Sequence, residues 1–217
     1  MDVGYRSEIG NVRKRNEDAL LVEPETGVYA VADGMGGHPA GDVASALVIA
    51  GLKEFLSGYD GLHPATTVSE ALEEAHTAVL AAAQDEPARR GMGSTAVLAL
   101  VTADEAWVGH VGDSRCYLLG SGEALRAITA DHGAGGYLTQ ALGLERGIAP
   151  DVAQVPLSAG DRLLLCTDGL TNMVDDALIL AILRENAGAQ AAADALTAAA
   201  LAAGGVDNVT TVVIDCH

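Results

Sequence analysis

Asp18, Asp33, Asp113, Asp168 and Asp207 each stand at the end of a run that reads as a β-strand. Asp18 precedes Ala19–Val22 and Asp33 follows Val28–Ala32, and the Pro24–Gly27 turn lies at the far end of that hairpin. Both carboxylates are therefore expected at its open end. Asp113 follows Ala106–Val111, Asp168 follows Arg162–Thr167, and Asp207 precedes Val209–Ile214. In antiparallel neighbours the C-terminal end of one strand lies beside the N-terminal end of the next, so all five can gather on one rim. Asp beside Gly, as in Asp33-Gly34, Gly112-Asp113 and Asp168-Gly169, is also ordinary turn chemistry. Five on one rim fit that account poorly, because like charges so close protonate unless a cation neutralises them. Carboxylate and water ligands select Mg2+ or Mn2+ over zinc, and no His/Cys cluster in the sequence argues otherwise. Two such ions about 3.5–4 Å apart form a clamp suited to hydrolysing phosphate esters. Arg13, five residues before Asp18, can face the same rim and offer phosphate a bidentate fork. Its alternative is a surface salt bridge worth about 0–1 kcal/mol. Lys14 and Arg15 are expected to be solvated.

The rest of the composition narrows the class. Thirty acids against twelve bases leave a net charge of −18 over 217 residues, which repels phosphate backbones and anionic lipids and so argues against nucleic-acid or membrane-surface partners. The same charge favours a monomer. Nearly half the residues are apolar but only 3% are aromatic, so Ala, Leu and Val must fill the core. Cys116, Cys166 and Cys216 are too far apart for a zinc knuckle or a redox pair, and their odd number fits a reducing cytosol. The N-terminal residues lack the pattern of a secretory leader, and no apolar run approaches the ~18 residues of a membrane span. A cytoplasmic protein of one domain, residues 1–217, is expected.

To position the aspartates, the chain must alternate strand runs with helix pairs. Ala44, Leu47, Val48, Leu52 and Phe55 share one helical face, as do Val68, Ala71, Leu72, Ala75, Val79 and Leu80. Thr67-x-x-Glu70 reads as a capping box opening the second helix. Strand signals follow at Thr95–Val101, Ala106–Val111, Cys116–Leu119, Leu125–Ile128, Arg162–Thr167 and Val209–Ile214, with helices over about 175–186 and 189–203. Strand runs separated by paired helices predict an α+β fold with mostly antiparallel sheets.

Seven blocks, in order, carry a resemblance: Gly10-x-Val12-Arg13-x-x-Asn16-Glu17-Asp18; Val31-Ala32-Asp33-Gly34-Met35-Gly36-Gly37-His38; Gly93-Ser94-Thr95; Val111-Gly112-Asp113-Ser114-Arg115; Thr129-x-Asp131-His132; Gly160-Asp161-Arg162-x-Leu164-Leu165-Cys166-x-Asp168-Gly169-Leu170; and Gly205-x-Asp207-Asn208-Val209-Thr210. Together they resemble the metal-dependent Ser/Thr protein phosphatases of type 2C, bacterial branch. The resemblance implies an α-β-β-α sandwich of two antiparallel sheets flanked by helix pairs. It implies two Mn2+ or Mg2+ ions bridged by Asp33, with the Gly34 carbonyl on one and Asp168 and Asp207 on the other. Glu17 and Asp18 are implied to act largely through bound water, Asp113 with Asp168 at a third, weaker ion, and Arg13 on the substrate phosphate. The implied activity is hydrolysis of phosphoserine and phosphothreonine in proteins, substrates of a bacterial Ser/Thr kinase, by a metal-bridged water and without a phospho-enzyme.

Two departures from that pattern stand out. Met35 occupies the position where animal members place a histidine proposed as general acid, which leaves His38 as the candidate proton donor or as a loop residue. The mobile flap usual after Asp131-His132 is reduced to residues 133–141, so a more open cleft is expected. A phosphoprotein-binding module with weakened catalysis, and a two-metal hydrolase of small phosphate esters, remain as alternative readings.

Overall fold

The structure, a computed structural model, describes the chain except residues 36–39, 121–123 and 135–136. Twelve strands and five helices follow in chain order among the described residues: β1 (Asp2–Glu8), β2 (Asp18–Glu23), β3 (Val28–Asp33), α1 (Gly41–Leu56), α2 (Pro64–Asp85), β4 (Ala96–Val101), β5 (Glu105–Val111), β6 (Arg115–Leu119), β7 (Leu125–Ala127), β8 (Gly133–Ala134), β9 (Tyr137–Leu138), β10 (Asp151–Pro156), β11 (Arg162–Cys166), α3 (Asp168–Thr171), α4 (Asp176–Glu185), α5 (Ala189–Ala202) and β12 (Val209–Asp215). One five-stranded sheet has the order β1-β12-β11-β6-β7 and the other β10-β5-β4-β3-β2, antiparallel throughout.

Alternation along the strands builds three apolar layers. In β4, Val97, Ala99 and Val101 turn inward, where they join Tyr29, Val31, Leu163, Leu165, Val212 and Ile214 between the sheets. Ala96, Leu98 and Leu100 turn outward onto Ala44, Val48 and Leu52 of α1 and Val68, Leu72 and Val79 of α2. On the opposite side Leu164, Cys166 and Val213 meet Ile179 and Leu183 of α4 and Ala192, Ala193 and Leu196 of α5. This is the α-β-β-α sandwich expected from the sequence. The alanine content serves close approach: a Cβ on Gly4 of β1 would lie 2.1 Å from the Gln190 nitrogen at the start of α5.

Two features differ from the sequence reading. α2 opens at Pro64, a favourable first helical residue, rather than at a Thr67 cap; Thr67 lies inside the helix, its hydroxyl donating to the His63 carbonyl at 3.1 Å. Strands β1 and β10 were not expected. Both are sheet edges, and their half-exposed, polar-interrupted patterns carry little apolar signal.

Gly4→Ala is expected to push α5 off β1 and cost about 1–3 kcal/mol. Thermal unfolding would show this as a lowered Tm, and an unchanged Tm would contradict the packing described.

Candidate metal centre

β2 and β3 place Asp18 directly opposite Asp33 in register. The Asp33 backbone is clamped from β4's approach: its amide donates to Thr95 Oγ1 (3.1 Å), and its carbonyl accepts from the Thr95 amide (2.8 Å) and Ser94 Oγ (2.9 Å). Thr95 and Ser114 share a hydroxyl hydrogen bond of 2.7 Å. These hydroxyls are spent on bracing the backbone around Asp33. Asp18 reaches the facing sheet, where its Oδ2 accepts from Thr167 Oγ1 (2.9 Å) and Thr210 Oγ1 (2.7 Å). Asp168 opens α3, and its Oδ2 accepts from Asn172 Nδ2 (3.0 Å). Asp207 accepts from Arg13 Nη2 at 2.6 Å and from the Asn208 amide at 2.8 Å.

The loop bearing Arg13 and Glu17 is tied down by a residue that the sequence reading quoted but gave no role. Asn208 accepts from the Glu17 amide (2.8 Å) and donates to the Ile9 and Arg15 carbonyls (2.9 and 2.8 Å). The Gly34 amide donates to the Glu17 carbonyl at 3.0 Å, and a Cβ on Gly34 would strike the Gly41 carbonyl at 2.1 Å. Gly112, at φ +109°, turns the chain into Asp113 where a Cβ would lie 2.6 Å from the Thr95 side chain.

The result is a cavity of about 450 Å³ whose walls include Arg13, Asp33, Asp113, Asp168 and Asp207. Glu17, Asp18 and Gly34 are not among the residues that line it. His38 lies outside the described residues.

Charge repulsion dominates this site. Burial, then the charges of Asp18 and Asp168, hold the Asp33 carboxyl well above the usual carboxylate range. Burial pushes Asp18 up to about 7 against its two threonine hydrogen bonds, with Asp168 and Asp207 adding to the rise. Asp113 is pushed up to about 6 by burial, then by Asp168 and Asp131. Asp168 is raised chiefly by burial, and so is Glu17, with Asp42 next. Oδ1 of Asp18 and Oδ1 of Asp168 are buried with no donor facing them among the described residues. Orphaned oxygens, raised acids and hard oxygen donors from both sheets all fit divalent cations of the Mg2+ or Mn2+ kind.

A second cluster was not foreseen from the sequence: potential ligand atoms of His110, His132 and Asp151 lie within 4.8 Å of one another. Its hydrogen bonding argues against a metal there. The Gly112 amide donates to His132 Nδ1 (3.2 Å), so the neutral ring carries its proton on Nε2, 3.1 Å from Asp151 Oδ2. A metal on Nε2 would force the proton onto Nδ1, against the Gly112 N–H. His110, stacked on His132 at 4.3 Å, gives its Nε2 proton to the Ala130 carbonyl (2.9 Å). With the His132 amide donating to the Gly112 carbonyl at 2.7 Å, this cluster braces the turn that presents Asp113.

Thr167, Thr210, Asn172 and the cavity residues Tyr137 and Arg146 also escaped the sequence reading. The two threonines had a legible signal, since each adjoins a strand end that carries an aspartate motif. Arg146 had none, because its position on the wall depends on the path of residues 137–147.

The sequence matches the protein phosphatase 2C family over residues 11–203. It is 32% identical to the serine/threonine phosphatase stp of Listeria innocua over 242 residues, covering 99% of this chain and 96% of that protein. Among solved structures it resembles the catalytic domain of serine/threonine protein phosphatase PstP in complex with two manganese ions, at 37% identity, TM-score 0.89, 98% of this chain and 96% of that one. Stp1 from Staphylococcus aureus is 27% identical with a TM-score of 0.92, covering 100% and 96%.

Stability should follow pH in a direction set by the raised acids. In metal-free protein the folded state holds protons on Asp18 and Asp113 that the unfolded chain has lost above about pH 4. The stability this contributes is fully present below about pH 4 and is lost progressively as pH rises from there to about 6 to 7. Thermal unfolding in EDTA should show Tm falling over that window, and saturating Mn2+ should remove the fall; a metal-independent pH profile would refute the assignment.

Proposed function

As a member of the protein phosphatase 2C family, this chain is a metal-dependent protein serine/threonine phosphatase, and we propose that Asp33, Asp168, Asp207 and the Gly34 carbonyl hold its two Mn2+ or Mg2+ ions. Glu17 and Asp18 act on that pair largely through bound water, and Asp113 with Asp168 forms a third, weaker position. Bound there, the ions supply Lewis acidity toward phosphoryl oxygens and a water that ionises near neutral pH.

The chain's own residues do the rest. Thr167 and Thr210 fix one oxygen of Asp18 and leave the other free to accept. Arg13, paired with Asp207 at 2.6 Å, stands on the cavity wall, where its fork would bind the substrate phosphate and spread the charge that develops on the phosphoryl oxygens. His38 is proposed as the proton donor to the leaving hydroxyl on its place in the sequence. No nucleophilic side chain is required: Cys116, Cys166 and Cys216 are buried, none lines the cavity, and burial raises each thiol.

The observation that carries this reading is the pair of buried, unpartnered carboxylate oxygens on Asp18 and Asp168 beside an arginine. A module that merely bound phosphorylated partners would gain nothing from burying mutually repelling acids. The substrates are phosphorylated proteins, proposed to be those of a bacterial Ser/Thr kinase, met in the cytoplasm by a monomeric enzyme. The charge of −18 supports the monomer through self-repulsion.

Phosphate release from a phosphothreonine peptide should require Mn2+, stop in EDTA and fall at least about 1,000-fold in Asp33→Asn. Arg13→Ala should lose about 100- to 1,000-fold in kcat/KM. Wild-type turnover that survives EDTA, or Asp33→Asn at wild-type rate, would sink the two-metal assignment.

A further inference from the structure

On the reading that this cleft dephosphorylates proteins, we propose that Arg146 is a specificity-determining residue that pairs with a second anionic group, a carboxylate or phosphate flanking the phosphorylated residue of the substrate. Among the described residues, Arg13 and Arg146 are the two arginines on the cavity wall. Arg13 is committed to Asp207. Arg146 forms no ion pair with any described carboxylate, in a chain with thirty acids to twelve bases. One of its amino groups, Nη2, donates to the Leu138 carbonyl at 3.0 Å; the other guanidinium N–H groups meet no acceptor among the described residues. The fork thus lines the cavity without an anionic partner among the described residues, and its bidentate geometry suits carboxylate or phosphate.

The segment that carries Arg146 is fixed. Leu142 and Ser94 exchange backbone hydrogen bonds of 2.8 and 3.1 Å, the Gly143 amide donates to His76 Nδ1 at 3.1 Å, and the Ala149 amide donates to Gln140 Oε1 at 2.6 Å. Arg146 therefore stands at a set place on the rim, beside the apolar wall of Leu138 and Leu144. The described part of the 133–141 segment is no more than the two-residue strands β8 and β9, and Arg146 is exposed to solvent. A peptide whose phosphate lies against Arg13 would run its neighbouring residues along this rim, where an acidic neighbour finds a partner and a neutral one does not.

The test uses the Mn2+-loaded protein and phosphothreonine peptides flanked by Asp, by Ala or by a second phosphothreonine. Affinity is read by fluorescence anisotropy with non-hydrolysable phosphonate analogues, and kcat/KM with the phosphopeptides themselves. Wild type should bind an acid- or phosphate-flanked analogue about tenfold tighter than the Ala-flanked one, and whichever is tighter names the anion. Arg146→Ala should bring that ratio to about 1, Arg146→Lys should retain part of it, and Arg146→Glu should invert it. A wild-type ratio near 1, a ratio that survives Arg146→Glu, or an equal loss of affinity for all peptides in Arg146→Ala would overturn the proposal. Absence of phosphate release by wild type from every peptide would refute the phosphatase reading, while the affinity ratio would still decide the role of Arg146.

Discussion

Mutual repulsion among carboxylates is the constraint around which this molecule is arranged. Asp18 and Asp33 come from one sheet, Asp168 and Asp207 from the ends of strands in the other. Closing the sandwich drives them together and strips them of water, which raises their proton affinity instead of leaving comfortable ions. The surrounding scaffold answers each acid separately. Threonine hydroxyls hold the Asp18 carboxylate, an asparagine amide that of Asp168 and a guanidinium that of Asp207, while Thr95 and Ser94 hold Asp33 by its backbone. None of these neutralises the cluster, so a cation is the remaining way to relieve it.

The rest of the fold is free to be plain. Three layers made mostly of Ala, Val and Leu, with Tyr29 and Tyr117 the largest fully buried side chains, pack the helices onto the sheets. Such packing is close rather than interlocked, and glycine contacts such as Gly4 against α5 allow it. The polar residues that matter are then confined to one end of the sandwich. There the loops are short and braced by Asn208 and by the His110–His132 stack.

Much of this was legible before the structure. Buried strands with strict apolar runs, such as β4 and β11, announce themselves, and their flanking aspartates mark the rim. Edge strands do not: β1 has Arg6 and Glu8 facing solvent side by side, and β10 alternates weakly. The start of α2 was misplaced because Thr67-x-x-Glu70 satisfies a local capping pattern that Pro64, three residues earlier, overrides. At the site, the gathering of acids could be read from charge and position. The neighbours that orient them could not, since Asn208 bonding to Ile9 and Arg15 spans the whole chain. The histidine cluster was invisible for the same reason, its members being brought together by three separate strands and loops.

The order of strands in the first sheet also bears on how the chain is made. β12 is the last element, yet it lies between β1, the first, and β11. The N-terminal strand must therefore wait on the ribosome for residues 209–215 before its edge is paired. The same late strand carries Thr210, and Asp207 lies just ahead of it. Assembly of the acid cluster thus coincides with the last pairing step, a contact of nearly maximal sequence separation and correspondingly slow. A chain that stops short of residue 209 lacks both the strand that pairs β1 and the Thr210 hydroxyl that holds Asp18, so the acid cluster has no complete scaffold without it.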